Sequence, residues 1–131
     1  SAYEWSLKLK ELTYTIADPY SSADFLHGPL ALVDQGFPVL AVAPSGAVAG
    51  SVYQLLLKLR DQFHAELAVI SDDPQTLALA QTPIPLPGGI PEWLSPGVAI
   101  LPAQLFAYHL TRARGFSTET PRSIHKVTET N

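Results

Sequence analysis

Two acidic residues and one basic residue near the start of the chain recur at helical spacing. Glu4, Lys8 and Glu11 are four and three residues apart, which places them within an arc of roughly 60° on one helix face. A carboxylate beside a cation can act as a general base that removes a proton next to a carbonyl group, because the cation adjusts its pKa and stabilises the developing negative charge. The alternative is a solvated ladder of ion pairs, each contributing about 0.2–0.5 kcal/mol.

Two further residues carry reactive groups in distinctive positions. His27 precedes Gly28-Pro29 at the end of a short helical pattern, and Lys126 stands in a polar tail. His27 is either a functional imidazole or a side chain that satisfies backbone groups at a helix end. Lys126 is an amine nucleophile only where desolvation or another cation depresses its pKa, and is otherwise solvated. The four histidines of the chain lack the spacing of metal ligands, so no metal site is predicted.

The elements that must position these groups alternate between helix and strand. Apolar segments with β-forming residues predict strands, while apolar residues at 3.6-residue spacing predict helices. The predicted strands cover residues 37–43, 67–70 and 82–86, and the predicted helices cover residues 2–13, 22–28, 48–63, one turn at 77–80, and a long segment from 91 or 95 to 114. Two prolines confine the third strand to an edge. Pro102 is expected to kink or interrupt the last helix, and Gly115 to end it.

The length and composition predict one modest domain whose surface is partly covered. The chain has 131 residues, of which 47% are hydrophobic and 15% charged, against about 25% charged residues in a typical globular domain. This balance indicates surface that is buried against something. Because the chain begins at Ser1, contains no methionine and offers only two or three parallel strands, we expect an incomplete domain cut from a longer protein.

Several classes of protein are excluded by composition. There is no run of roughly 20 apolar residues and no basic-then-apolar leader, so we expect a soluble protein with no membrane segment. The absence of cysteine excludes disulfides and thiolate chemistry and is compatible with the cytoplasm. A net charge of −4, with lysines and arginines spread along the chain, argues against nucleic-acid binding. The sequence therefore predicts a cytoplasmic protein that does not bind nucleic acid.

Short motifs with a characteristic order and spacing extend along nearly the whole chain. They are Glu4, Leu7-Lys8-Leu9-Lys10-Glu11, Tyr14, the run from Ser22 to Leu32 with His27-Gly28-Pro29, Phe37-Pro38-Val39, Pro102-Ala103-Gln104-Leu105, Ala107-Tyr108-His109, Arg114-Gly115, and Pro121-Arg122 with Lys126. Together they resemble the second sugar isomerase (SIS) domain of the glutamine–fructose-6-phosphate aminotransferase family and its shorter isomerase and deaminase relatives. The resemblance implies a three-layer α/β fold of flavodoxin-like type, with a parallel sheet and helices on both faces. Residues 1–115 would form the C-terminal part of an SIS domain, and residues 116–131 a tail that folds over the sugar site.

The resemblance also implies roles for individual residues. Glu11 would shuttle a proton between C1 and C2 of an open-chain sugar phosphate, and His27 would assist ring opening across a subunit interface. Lys126 would lie at the sugar and could form an imine with a ketose, while Glu4 and Lys8 would bind substrate around the base. The implied partners are a sugar phosphate, a second copy in a homodimer that shares the site, and an N-terminal SIS domain missing from this chain. No metal or organic cofactor is implied.

The reaction itself stays open at the level of sequence. Fructose 6-phosphate and glucosamine 6-phosphate are the implied substrate types, and isomerase, aminotransferase and deaminase chemistry are all compatible with the motifs. Leu26 stands where aminotransferases usually carry lysine, and no Gly/Ser/Thr-rich phosphate loop follows a strand. The chain is therefore expected to be inactive without the other SIS domain. The alternative is a non-catalytic module that binds sugar phosphate, or a half that only dimerises.

Overall fold

A computed structural model describes residues 1–120 and Arg122 of the chain. In this part, three parallel strands form an open sheet with helices on both faces. The strands are β1 (Pro38–Val42), β2 (Glu66–Ser71) and β3 (Thr82–Pro85), and the helices are α1 (Ala2–Lys8), α2 (Ser22–Leu26), α3 (Ala49–Phe63), α4 (Pro74–Leu77) and α5 (Ser95–Ala113). Short 3-10 turns occupy Pro29–Leu32 and Glu92–Leu94. The predicted fold class is confirmed.

The central strand β2 connects the other two. Its partners follow the order β1-β2-β3, with Leu40 of β1 opposite Ala68 and Ile84 of β3 opposite Ile70. β2 is buried from Leu67 to Ser71, as expected for a parallel strand covered on both faces. β3 lies at the edge, as its two prolines predicted, because a proline cannot donate a hydrogen bond to a second neighbouring strand.

Alternate side chains of the sheet point into two separate hydrophobic layers. Leu67 and Val69 face the layer that contains α3 and the end of α2, whereas Ile70 faces the layer formed by α1 and α5. The first layer is built from Leu55, Leu56 and Leu59 of α3 with Phe25 of α2, and the second from Trp5, Leu9, Ala99, Ala103 and Ala107. α1 and α2 therefore lie on opposite faces of the sheet.

The longest helix, α5, runs without interruption through Pro102. Ala99 and Ala103, on either side of the proline, are fully buried against the sheet, and this packing holds the helix on both sides of the missing hydrogen bond. The expected interruption at Pro102 therefore does not occur. Within the described residues, no helix combines the length and the hydropathy needed to cross a membrane.

Helix α1 ends differently from the prediction of one α-helix over residues 2–13. It is α-helical to Lys8 and continues as a π-helical turn over Leu9–Thr13. Thr13 Oγ1 donates a hydrogen bond to the Leu9 carbonyl at 2.6 Å, and Tyr14 then adopts a left-handed conformation with φ of 56°. Single π-helical turns occur frequently at functional sites, and this one contains Glu11.

Helix α4 lies three residues earlier than the predicted turn at 77–80. Asp73 precedes it, and its carboxylate accepts hydrogen bonds from the backbone N–H groups of Gln75 and Thr76. Pro74 follows as the first helical residue. An acidic cap followed by proline is a strong helix start, so the helix begins at Pro74 rather than at Leu77.

Candidate functional site

The structure brings Glu4, Lys8 and Glu11 together as the spacing predicted. Lys8 Nζ donates to Glu11 Oε2 at 2.9 Å and lies 3.8 Å from Glu4 Oε1. The Lys8 and Glu11 side chains are 31% and 36% exposed, so the pair is partly covered and partly in contact with solvent. We call these three residues the acid–lysine cluster.

The charge on Lys8 is fixed by its acidic neighbours. The hydrogen bond to Glu11 raises the pKa of Lys8 above its ordinary value, the charges of Glu11 and Glu4 add to this effect, and partial burial opposes it. Lys8 is therefore protonated across the neutral range. A permanent cation beside a carboxylate can stabilise negative charge that develops on a substrate bound to that carboxylate.

The π-helical turn holds Glu11 at a defined position. Leu9 and Thr13, on either side of it in the turn, are 3% and 1% exposed. Arg114, at the end of α5, donates to the Thr13 carbonyl at 3.3 Å and also to the Thr15 hydroxyl. The backbone that carries Glu11 is thus held by the packing of Leu9 and Thr13 in the core and by the hydrogen bonds of Arg114 at the end of α5. Sequence reasoning connected Arg114 only with the end of the last helix and did not find these contacts, because their partners are about a hundred residues away along the chain.

His27 does not join the acid–lysine cluster within one chain. It ends α2, its backbone N–H donates to the Asp24 carbonyl at 3.1 Å, and its side chain is exposed. α2 packs through Phe25 on the face of the sheet opposite to α1. The imidazole is available to a molecule outside the chain.

The predicted nucleophile Lys126 lies outside the described residues. The beginning of the tail, however, is in contact with the end of the π-helical turn. Arg122 stacks against Tyr14 and Phe116, and its backbone N–H donates to Tyr14 Oη. Sequence reasoning quoted Tyr14 and Arg122 as parts of motifs, placed Phe116 at the start of the tail, and predicted no contact among the three. The sequence shows only that the chain carries a tyrosine near its start and a phenylalanine and an arginine near its end, which does not indicate that the three meet.

Two backbone N–H groups beyond the carboxyl end of β1 are held by acidic side chains of the protein itself. The Ser45 N–H donates to Asp72 Oδ1 at 2.6 Å, and the Ala47 N–H donates to Glu92 Oε1 at 3.1 Å. Free N–H groups at this edge are what a parallel α/β sheet ordinarily offers to a phosphate. A shallow cavity of about 280 Å³ lies beside them, lined by residues that include Tyr53 and Asp73. Its lining contains no residue of the acid–lysine cluster.

Acidic and imidazole side chains do not gather into a metal-binding group anywhere in residues 1–120 and 122. The arrangement that the structure presents is a carboxylate held beside a fixed cation at a helix end. This arrangement can transfer a proton to and from a carbon next to a carbonyl group.

The chain belongs to the SIS domain family. The model of that family matches residues 1–114, which include the whole sheet, both helical layers and the acid–lysine cluster.

Relatives that the chain resembles include glutamine–fructose-6-phosphate aminotransferases. The enzyme of Legionella pneumophila (strain Paris) is 37% identical over 131 residues, covering 95% of this chain and 20% of the enzyme. That of Thermococcus kodakarensis is 36% identical over 126 residues, covering 96% of this chain and 21% of the enzyme. The chain thus spans about one fifth of the length of these relatives.

Solved structures show the same relationship. The C-terminal domain of glucosamine-fructose-6-phosphate aminotransferase from Francisella tularensis superimposes with a TM-score of 0.76 at 29% identity, over 89% of this chain and 33% of that one. Glucosamine-6-phosphate deaminase from Thermotoga maritima gives a TM-score of 0.69 at 24% identity, over 93% of this chain and 34% of that one. The deaminase likeness establishes a shared fold. The resemblance to the second SIS domain of the aminotransferase family is confirmed.

Proposed function

We propose that this chain supplies the proton-transfer part of a phosphosugar isomerase or aminotransferase that acts on fructose 6-phosphate or glucosamine 6-phosphate. The observation that carries the proposal is the hydrogen-bonded pair of Glu11 and Lys8 in the π-helical turn. The chain is also 37% identical to an enzyme whose name states an isomerising aminotransferase of fructose 6-phosphate.

In the proposed reaction, Glu11 moves one proton between two neighbouring carbons. The carboxylate removes a proton from the carbon next to the carbonyl group, C1 or C2 of the open-chain sugar phosphate, and the carbonyl oxygen gains negative charge. The proton of the neighbouring hydroxyl group passes to that oxygen, and the carboxyl group returns its proton to the former carbonyl carbon, so that the carbonyl group moves by one carbon. Lys8 stays charged beside Glu11 and stabilises the enediolate intermediate. Glu4 holds Lys8 in place from the preceding helical turn. No net charge or redox change is required.

We further propose that the site is completed by two groups from elsewhere. His27 would assist opening of the sugar ring in the site of a partner subunit, in keeping with its exposed position on the face opposite to Glu11. Lys126, in a tail that folds over the sugar, would form an imine with a ketose. Both roles require an assembly of two chains or of distant segments.

The phosphate group of the substrate would be held by another domain. Asp72 and Glu92 occupy the N–H groups of Ser45 and Ala47 at the strand ends, and a second anion there would be repelled. A separate SIS domain is therefore proposed to bind the phosphate. The isolated chain is expected to have little activity.

One assay series tests this proposal. The chain, alone and combined with a first SIS domain, is incubated with fructose 6-phosphate and with glucosamine 6-phosphate, and conversion of the sugar is followed. We expect turnover in the combined protein and a loss of about 10²–10⁴-fold on Glu11→Gln, the usual contribution of a general base. Glu66→Gln serves as the matched control, since Glu66 is an exposed glutamate at the start of β2 and does not belong to the acid–lysine cluster.

The outcomes separate the two candidate functions. Turnover that Glu11→Gln leaves intact would contradict the role of Glu11. Tight binding of both sugars by the combined protein, without conversion, would instead support a non-catalytic sugar-phosphate sensor. The observation that favours such a sensor is that Asp72 and Glu92 already hold the N–H groups of Ser45 and Ala47, two donors of the kind that a phosphate loop offers to a substrate.

A further inference from the structure

An arginine between two aromatic rings joins the start of the C-terminal tail to the end of the helix that carries Glu11. The Arg122 guanidinium carbon lies 4.5 Å from the centroid of the Tyr14 ring and 4.6 Å from that of Phe116. The two rings meet edge to face, 5.2 Å apart with their planes at 70°. The Arg122 backbone N–H donates to Tyr14 Oη at 2.9 Å. We call Tyr14, Phe116 and Arg122 the tail anchor.

The first ring, Tyr14, is placed by the end of the π-helical turn. Its φ of 56° is left-handed, a conformation that a residue with a side chain keeps only when its surroundings fix it. Arg114 supplies that support by bonding the carbonyl of Thr13 before it and the hydroxyl of Thr15 after it. The backbone that carries the Tyr14 ring is therefore held in place, three residues after Glu11.

The second ring, Phe116, is placed by the end of α5. Gly115 adopts a φ of 73° and donates to the Arg112 carbonyl at 2.9 Å, and the Phe116 N–H donates to the Thr111 carbonyl at 3.0 Å. These two bonds are the Schellman motif that ends many helices. The chain thus leaves α5 at Phe116 in a defined direction. The rings of Tyr14 and Phe116 together form a surface on which the planar guanidinium group of Arg122 stacks.

We propose that Arg122 is a positioning residue that fixes the start of the tail at the end of the helix that carries Glu11 and thereby limits where Lys126 can act. Planar guanidinium groups stack on aromatic faces better than ammonium groups do. Covalent geometry limits the Lys126 Cα to about 14 Å from the Cα of Arg122, since an extended residue spans about 3.3–3.6 Å. The assignment of Lys126 to the sugar site rests on the proposed function. The docking of Arg122 on the two aromatic rings does not depend on it.

The test combines a structural and a kinetic measurement on Arg122→Ala, Arg122→Lys and Tyr14→Phe. Arg112→Ala is the matched control, because Arg112 makes a similar contact with Tyr108 on the outer surface of α5, at 5.9 Å from its ring centroid. Amide hydrogen exchange in the whole chain reports docking of residues 116–122. The kcat and KM for fructose 6-phosphate, measured with a first SIS domain present, report positioning.

We expect Arg122→Ala to speed exchange at residues 116–122 by about tenfold or more, with α1, α5 and the melting temperature little changed. The kcat should fall about 10- to 100-fold with a smaller change in KM, as for a reacting group displaced by about 1 Å. Arg122→Lys should recover part of the lost kcat, and Tyr14→Phe, which keeps the ring but removes the Oη acceptor, should lose less than Arg122→Ala. Arg112→Ala should match the wild type.

The inference is wrong if exchange of residues 116–122 is the same in Arg122→Ala and the wild type. It is also wrong if exchange accelerates while kcat stays at the wild-type level in an active protein, because Arg122 would then hold the tail without positioning it. An inactive wild type that nevertheless shows the exchange difference would contradict the proposed function and still support the anchor.

Discussion

At the scale of single residues, the pair of Glu11 and Lys8 is either a surface ion pair or a catalytic pair. Its removal would affect stability slightly in the first case and the reaction rate strongly in the second. An ion pair whose side chains are about one third exposed adds little to stability. The same pair at a reacting carbon would control the rate, because stabilisation of developing charge depends on a preorganised cation. Measurements of stability and of rate on the same variants therefore distinguish a solvated ladder from a catalytic cluster.

Replacing Lys8 by methionine tests this distinction. We expect the free energy of unfolding to change by less than about 1 kcal/mol, while sugar isomerisation in the combined protein falls by about 10²-fold. Lys10→Met is the control, since Lys10 is exposed and makes no ion pair in the described part of the chain. Equal rates for Lys8→Met and Lys10→Met would show that the cluster is a surface ladder.

The difference in the free energy of unfolding between the wild type and Lys8→Met depends on pH in a defined direction. The pKa of Lys8 is raised in the folded chain by Glu11 and Glu4, so its contribution is complete below the unfolded value of about 10.4. This stabilising contribution of Lys8 is lost as the pH rises through the higher pKa that Lys8 has in the folded chain. Urea unfolding should therefore show a constant small difference between wild type and Lys8→Met from about pH 6 to 9, and a vanishing one in stronger alkali.

At the scale of elements, helix ends rather than helix bodies determine where the functional groups lie. Glu11 lies in a π-helical turn, Tyr14 and Gly115 end their helices in the left-handed region, and Asp73 begins α4. Asp73 is a clear case. The side chain and the N–H of Thr76 lower the pKa of its carboxyl group, with a further contribution from the N–H of Gln75.

Removal of the Asp73 cap should destabilise the chain in a pH-dependent way. Asp73→Ala is expected to cost about 1 kcal/mol at neutral pH. Because the folded pKa is depressed, this contribution is present above the unfolded value of about 3.9 and is lost as the pH falls through the lower folded value. Urea titrations at neutral and at strongly acidic pH measure both limits. Asp34→Ala, at an exposed loop position, should show neither effect.

The sequence predicted the regular elements well because their periodicity is strong. β2 is apolar throughout and α3 buries one stripe, so both follow from pattern alone. The π-helical turn did not follow, because Leu9 to Thr13 contain ordinary helix-compatible residues and the turn depends on the Thr13 hydrogen bond and on core packing. Of the kink or interruption expected at Pro102, the interruption does not occur, because tertiary packing overrides a local penalty.

The candidate site was predictable only where it is local in sequence. Glu4, Lys8 and Glu11 lie within one short helix, so their spacing sufficed. The hydrogen bond of the tail anchor joins residues 108 positions apart, and no local pattern records such a contact. The side of the sheet that His27 occupies likewise depended on the packing of Phe25.

At the scale of the whole molecule, the chain presents its proposed reactive groups on two opposite faces. Glu11 belongs to the layer of α1 and α5, and His27 follows α2 in the other layer. The outer side of α5 also leaves Leu101 and Leu105 exposed by 60% and 59%, in line with the low charge of the sequence. Under the proposed function, one copy would therefore have to complete the site of another.

Mixing two inactive variants tests such sharing. Glu11→Gln and His27→Ala proteins, each combined with a first SIS domain and then mixed after subunit exchange, should recover about one quarter of the wild-type rate, because half of random dimers are mixed and each holds one intact site. Glu11→Gln mixed with Lys8→Met should recover nothing, since both residues come from the same chain. Recovery in neither mixture, or in both, would contradict a site shared between subunits.

The acidic closure of the strand ends has a consequence for how a sugar phosphate approaches the protein. Asp72 and Glu92 give this edge of the sheet a negative potential where related folds ordinarily attract anions. Under the proposed function, the phosphate of a sugar phosphate would be repelled from this edge. The two acids would then influence the direction from which the substrate approaches, a long-range effect that weakens as the ionic strength rises.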